Sequence, residues 1–93
     1  MVGLVNAQLG FGVAIHYNTK EFPRCTHWQH FAPREYVAAL EPANAGVEGR
    51  DKDRQLGWLD RIAAGGRKTY RYSIEIITNR EDQNRLVGLN SKA

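Results

Sequence analysis

A single cysteine, Cys25, stands in this 93-residue sequence. It can form no internal disulfide, so a reducing compartment is the economical expectation. Long apolar runs are missing as well. None approaches the ~18 residues that a membrane-spanning helix needs, and no membrane partner is expected. The start, Met1 to Val5, lacks a charged segment followed by a long apolar one. It reads as no secretory signal, which makes the cytoplasm the expected location. Charge of one sign is also scarce. Thirteen Lys and Arg against ten Asp and Glu leave a net charge of +3, and the signs interleave between Glu48 and Arg54. A nucleic-acid binder carries a continuous basic patch or stripe; without one, no nucleic-acid partner is expected. Internal repeats and low-complexity tracts are absent from the pattern.

What is present reads as strands. Tyr70, Tyr72, Ile74 and Ile76 alternate with Arg71, Ser73 and Glu75. Side chains along a strand point to opposite faces in turn, so this stretch predicts a strand over 69–77 with one apolar and one polar face. A second strand is expected over 12–17, with Val13, Ile15 and Tyr17 on one face and His16 on the other. Glu21-Phe22-Pro23 should break it, because proline lacks the N–H that a central strand needs. A third strand is expected from Arg24 to Phe31, stopped by Pro33, and a fourth from Tyr36 to Leu40. Pro42 to Gly57 is small, polar or charged and reads as a long surface loop. Trp58-Leu59 is a candidate short strand. Past Asn79, residues 80–86 predict a helical turn or two with Asn79 as N-cap, followed by a frayed tail to 93. The expected fold is all-β, an antiparallel β-sandwich segment, with residues 1–93 forming one partial sandwich domain. A chain this short buries only about 60% of its unfolded surface, so a lone core would be marginal.

Three stretches give a family likeness. Leu9 to Tyr17 is a glycine-flanked strand followed by Phe22-Pro23 and His27-Trp28. Tyr36-Val-Ala-Ala-Leu-Glu-Pro-Ala-Asn44 comes next, and Leu59 through Ile76 ends in the alternating strand. In this order and spacing they resemble the galactose mutarotase (aldose 1-epimerase) superfamily, in particular an epimerase-related branch of unassigned function. That branch shows Gln-Trp where this chain has His27-Trp28, and Tyr-Val-x-Gly-Leu-Glu-Pro-x-Asn where it has residues 36–44. Ala39 replaces the glycine, and Ala64-Gly65-Gly66 replaces a Pro-Gly-Glu turn. The superfamily fold is a β-sandwich of well over twice this length, so the likeness covers its carboxy-terminal portion only.

The resemblance implies that Glu41 matches the glutamate that acts as general base on an anomeric hydroxyl. The partner histidine acid of the family lies in an earlier part of the fold, outside the region of likeness. Acid–base work needs both groups within reach of their protons, so the expectation is a carbohydrate-related segment without autonomous catalysis. Two alternatives stay open: a sugar-binding or epimerising enzyme whose site is assembled between subunits, and a structural interaction module. Glu41 itself reads either as that base or as a strand-end carboxylate bonded to backbone. His27 and Trp28 are candidate substrate contacts, Trp28 as a stacking platform for a sugar's C–H face or else as a packed tryptophan. Asn44 and Arg50 follow Glu41 and are candidate hydroxyl ligands, Arg50 also for an anionic sugar, or else turn caps. Cys25-x-His27-x-x-His30 suggests a metal, but on a strand His30 points away from the other two, and no metal is expected. No glycine-rich loop leads into a helix, so no cofactor is expected. A cut sandwich exposes faces and edges that associate, which predicts a homo-oligomer, most simply a dimer.

Overall fold

The computed structural model describes residues 1–91. Along the chain it forms β1 (Val2–Asn6), β2 (Phe11–Tyr17), β3 (Arg24–Ala32), β4 (Glu35–Ala43), α1 (Arg50–Leu56), β5 (Tyr72–Ile77) and α2 (Arg80–Ser91). The mostly-β reading holds. The strands make a three-stranded sheet, β1-β2-β5, and a two-stranded sheet, β3-β4, without closing a sandwich. Two compact units result. One comprises residues 1–16 with 72 onward; the other is Tyr17–Arg71.

In the first unit, β1 and β2 pair antiparallel, Val2 opposite Ile15 and Leu4 opposite Val13. β1 is an addition to the strands expected from the sequence, in which Met1 to Val5 shows only the lack of a secretory signal. Alternation puts Gly3, Val5, Ala14 and His16 on one face and Val2, Leu4, Val13 and Ile15 on the other. The smaller residues occupy the covered face. Ala14 and Ile77 are fully buried with Leu86 of α2, and Val5 packs against them. Asn79 begins α2 as expected: its Oδ1 accepts the Asp82 amide at 2.8 Å. The helix runs beyond the expected end at 86 to Ser91, and the last two residues of the expected frayed tail lie outside the described residues.

The covered face is the polar one of β5. Glu75 accepts from His16 Nε2 at 2.8 Å and from an Arg85 terminal nitrogen at 2.6 Å. The His16 hydrogen bond, then the Arg85 charge, hold its carboxyl below the ordinary value against the opposing effect of burial. Tyr72, Ile74 and Ile76, which alternate with Glu75 and Ile77, remain 64%, 57% and 58% exposed. A sheet that seals its charged side with a helix therefore leaves an apolar side open.

The second unit begins with a turn in which Asn18 carbonyl oxygen accepts both the Glu21 and Phe22 amides. It breaks the chain ahead of Pro23, as the sequence predicts. β3 and β4 form an antiparallel hairpin with Thr26 opposite Glu41, Trp28 opposite Ala39 and His27 opposite Leu40. Pro33 and Arg34 make the turn. Arg34 sits at φ 67°, a left-handed conformation that a side chain disfavours, after a proline whose ring fixes φ.

Three expectations are corrected. Residues 42–57 are not one long loop, because α1 occupies 50–56. Seven residues are too few for apolar periodicity to show, and Gly49 and Gly57 are the helix's own borders. Gly57 takes the left-handed conformation at φ 75°, its amide bonding the Arg54 carbonyl while the Trp58 amide bonds the Asp53 carbonyl. This is the paired-bond helix stop that glycine favours. Trp58 thus leaves a helix end rather than entering a strand. The strand expected from 69 begins only at Tyr72. Ahead of it, the Arg71 amide donates to Glu21 Oε1 at 2.6 Å, and Tyr70 Oη is taken up by side chains.

Candidate functional site

The helix stop at Gly57 carries Trp58 to the start of β3, where the Arg24 guanidinium carbon stands 3.9 Å from the centre of a Trp58 ring. At that distance cation and ring attract. Directly after β4, Asn44 Nδ2 donates to Tyr70 Oη at 3.0 Å and to Asp60 Oδ2 at 3.3 Å. Tyr70 Oη donates in turn to Asp60 Oδ2 at 3.2 Å, and Lys68 Nζ bonds Asp60 Oδ1. Three chain segments, at 44, 60 and 68–70, are tied together by one carboxylate. The Tyr70 ring rests on Phe22 at 5.3 Å between centroids, and Phe22 meets Tyr17 edge-on at 5.8 Å.

Lys20, Glu21, Arg24, Asn44, Trp58, Asp60, Lys68 and Tyr70 line a cleft of about 500 Å³. Its size falls within the range of small-molecule sites, roughly 300–1,000 Å³. The Asp60 carboxyl lies below its ordinary value. The Lys68 hydrogen bond is the main cause, helped by the Arg61 amide and Asn44 and opposed by burial. An ionised, engaged carboxylate accepts hydrogen bonds and is not set up as a base. Indole, phenol, amide and carboxylate together suit a ligand with both C–H faces and hydroxyls.

A second hollow of about 290 Å³ lies between the start of β3 and α1, lined in part by Arg24, Thr26, Gly46, Asp53 and Trp58. Asp53 is 95% buried; its Oδ2 accepts the Gly46 amide at 3.2 Å, while Oδ1 has no hydrogen-bond partner among the described residues.

The sequence-predicted residues are distributed unequally. Asn44 lies in the cleft. Glu41 is exposed on β4, opposite Thr26, and lines neither hollow, although Thr26 lines the second. Trp28 is half exposed and shares the Glu41 face one register step away, with small Ala39 opposite it. His27 sits on the other face with Cys25, Leu40 and Pro42, so it does not join Trp28 and Glu41. His30 lies on the Trp28 side, its Nε2 3.1 Å from Glu35 Oε2. Arg50 opens α1, exposed and apart from the residues lining either hollow. Cys25 is an exposed free thiol. Beside it, the Tyr17 hydroxyl is pushed up from its ordinary value, first by burial and then by Cys25.

Trp58, Asp60, Lys68 and Tyr70 were not legible as site residues. They lie within or beside a stretch, 57–71, that has no regular structure, so no periodicity orients them. The one available signal was an aromatic placed directly after Gly57.

Among the described residues, no helix is long and apolar enough to cross a membrane, and no group of three His, Cys, Asp or Glu is placed to hold a metal. No curated protein and no solved structure matches the chain. One family model does, over residues 1–76, a span that includes the cleft, the β3-β4 hairpin and all but the last residue of β5. On that match the chain belongs to the family described as a domain of unknown function, DUF4432.

Proposed function

We propose that this chain is a carbohydrate-binding β segment, related to the carboxy-terminal portion of the galactose mutarotase-like superfamily and without catalysis of its own. The observation that carries the reading is the position of Asn44. This residue, singled out by the Leu40-Glu41-Pro42 motif that precedes it, stands in a cleft with Trp58, Tyr70, Asp60 and Lys68. An amide, a carboxylate and a phenol around an indole make a set able to bond vicinal hydroxyls while stacking on a sugar ring. The test is an NMR titration of the labelled protein with galactose and glucose. Shifts confined to the Trp58 indole and the Asn44 side-chain amide support the reading; a spectrum unchanged at tens of millimolar sugar removes it.

A second reading, an aldose-epimerising enzyme with a site assembled between subunits, is favoured by one arrangement. Glu41 is exposed, its carboxylate makes no hydrogen bond or ion pair among the described residues, and it shares a face with the half-exposed Trp28. It predicts that the protein speeds mutarotation of an aldose and that Glu41→Gln abolishes the effect. Equal rates for the two proteins exclude it.

Self-association belongs to the same proposal. The open face of β5, with Tyr72, Ile74 and Ile76, supports a homo-oligomer, most simply a dimer. Sedimentation of a folded monomer at micromolar concentration would defeat this part.

A further inference from the structure

Three cations, Lys20, Arg24 and Lys68, line the cleft with two carboxylates, Glu21 and Asp60. The carboxylates are engaged. Asp60 is held by Lys68, Asn44 and Tyr70, and Glu21 Oε1 accepts the Arg71 amide. Arg24 is different. It is half-buried and held over the Trp58 ring, and among the described residues it has no carboxylate partner and makes no hydrogen bond through its side chain. A guanidinium carries five donors in a planar fork suited to two oxygens of one anion. Placing it on an aromatic face fixes the charge without using up those donors, because the attraction to the ring is electrostatic. Lys20 adds a second cation to the lining, also without a carboxylate partner among the described residues.

We propose that the cleft selects an anionic sugar, one bearing a carboxylate or a phosphate, with Arg24 as the anion's principal ligand and Lys20 as a supporting charge. The inference rests on the carbohydrate reading and adds the ligand's charge to it. In this arrangement Trp58 holds the guanidinium, and the Asn44, Asp60 and Tyr70 cluster meets the hydroxyls. The anion draws the sugar to the Arg24 end of the cleft and fixes which way round the ring lies.

The test titrates the wild-type protein with galacturonate, galactose 6-phosphate, galactose, inorganic phosphate and acetate. Binding is followed by Trp58 indole shifts and by calorimetry at low and high salt. The expected result is that at least one anionic sugar binds roughly tenfold or more tightly than galactose, the gain of one well-placed charged pair. The preference should shrink with salt and vanish in Arg24→Gln. The comparison within the wild type does not depend on how any variant folds. Galactose binding as tightly as both anionic sugars overturns this inference and leaves the carbohydrate reading standing. Inorganic phosphate or acetate matching the anionic sugars overturns it as well, by showing an anion site blind to the ring. No binding of any sugar overturns both.

Discussion

The Gly46 amide donates to Asp53 Oδ2 at 3.2 Å, and a β-carbon built on Gly46 would come within 2.7 Å of the other carboxylate oxygen and 3.2 Å of the Trp58 ring. The β4–α1 connection, the buried acid of α1 and the tryptophan of the cleft are therefore locked by one missing side chain. Gly46→Ala should destabilise the protein by about 1–3 kcal/mol, the usual cost of overpacking a closed site. Asp53→Ala should cost about 1–3 kcal/mol by leaving the Gly46 amide unpaired. Because the second change removes the atom that the first collides with, the double variant should lose less than the sum. Urea unfolding of the four proteins measures this; strict additivity would show that the two residues do not touch.

Asn44→Ala should weaken sugar binding about fivefold while leaving the fold intact, since one neutral hydrogen-bonding group contributes about 1 kcal/mol net. Calorimetric titration with the tightest-binding sugar checks the loss. An unchanged affinity would place the ligand away from the Asn44 end of the cleft.

Acid should loosen the first unit through Glu75. Its folded-state carboxyl lies below the ordinary value of 4.5, chiefly through the His16 hydrogen bond. A depressed carboxyl pKa means that the unfolded chain takes up the proton first as pH falls. The stabilisation is therefore fully present above about 4.5 and is lost as the pH drops through the lowered folded-state value. Glu75→Gln should be less stable than wild type at pH 6, with the gap narrowing as the pH is taken below 4.5. Denaturant midpoints across a series of falling pH values decide it; a constant gap would mean that the carboxylate's charge contributes nothing.

Asn79→Ala removes the acceptor of the Asp82 amide at the start of α2. The expected cost is about 1 kcal/mol, as for other N-cap truncations. It should appear as a lower thermal midpoint together with reduced helical dichroism. Asn79→Asp, which keeps an acceptor in place, should restore most of the loss.

Ile74→Lys places a charge in the middle of the exposed β5 face without touching the covered side, where Ile77 and Glu75 lie. If that face joins two copies, the variant should sediment as a monomer with an unchanged thermal midpoint at low concentration. A dimer that survives the change would put the interface elsewhere.

Alternation along single strands was readable before any fold existed, because side-chain direction on an extended backbone depends only on residue parity. That is why His30, expected to point away from Cys25 and His27, lies on the side of β3 with Trp28 while those two share the other. Asn79 at a helix start was equally local, needing only an acceptor three residues ahead of an amide. Parity cannot say which side a neighbour will cover. In β5 the obvious apolar side stays open and α2 covers Glu75, because His16 and Arg85 arrive from other segments to meet the carboxylate. The cleft was hidden for the same reason. Asn44, Asp60, Lys68 and Tyr70 have no common period, and only the path of the chain between residues 44 and 70 brings their polar atoms within hydrogen-bonding distance.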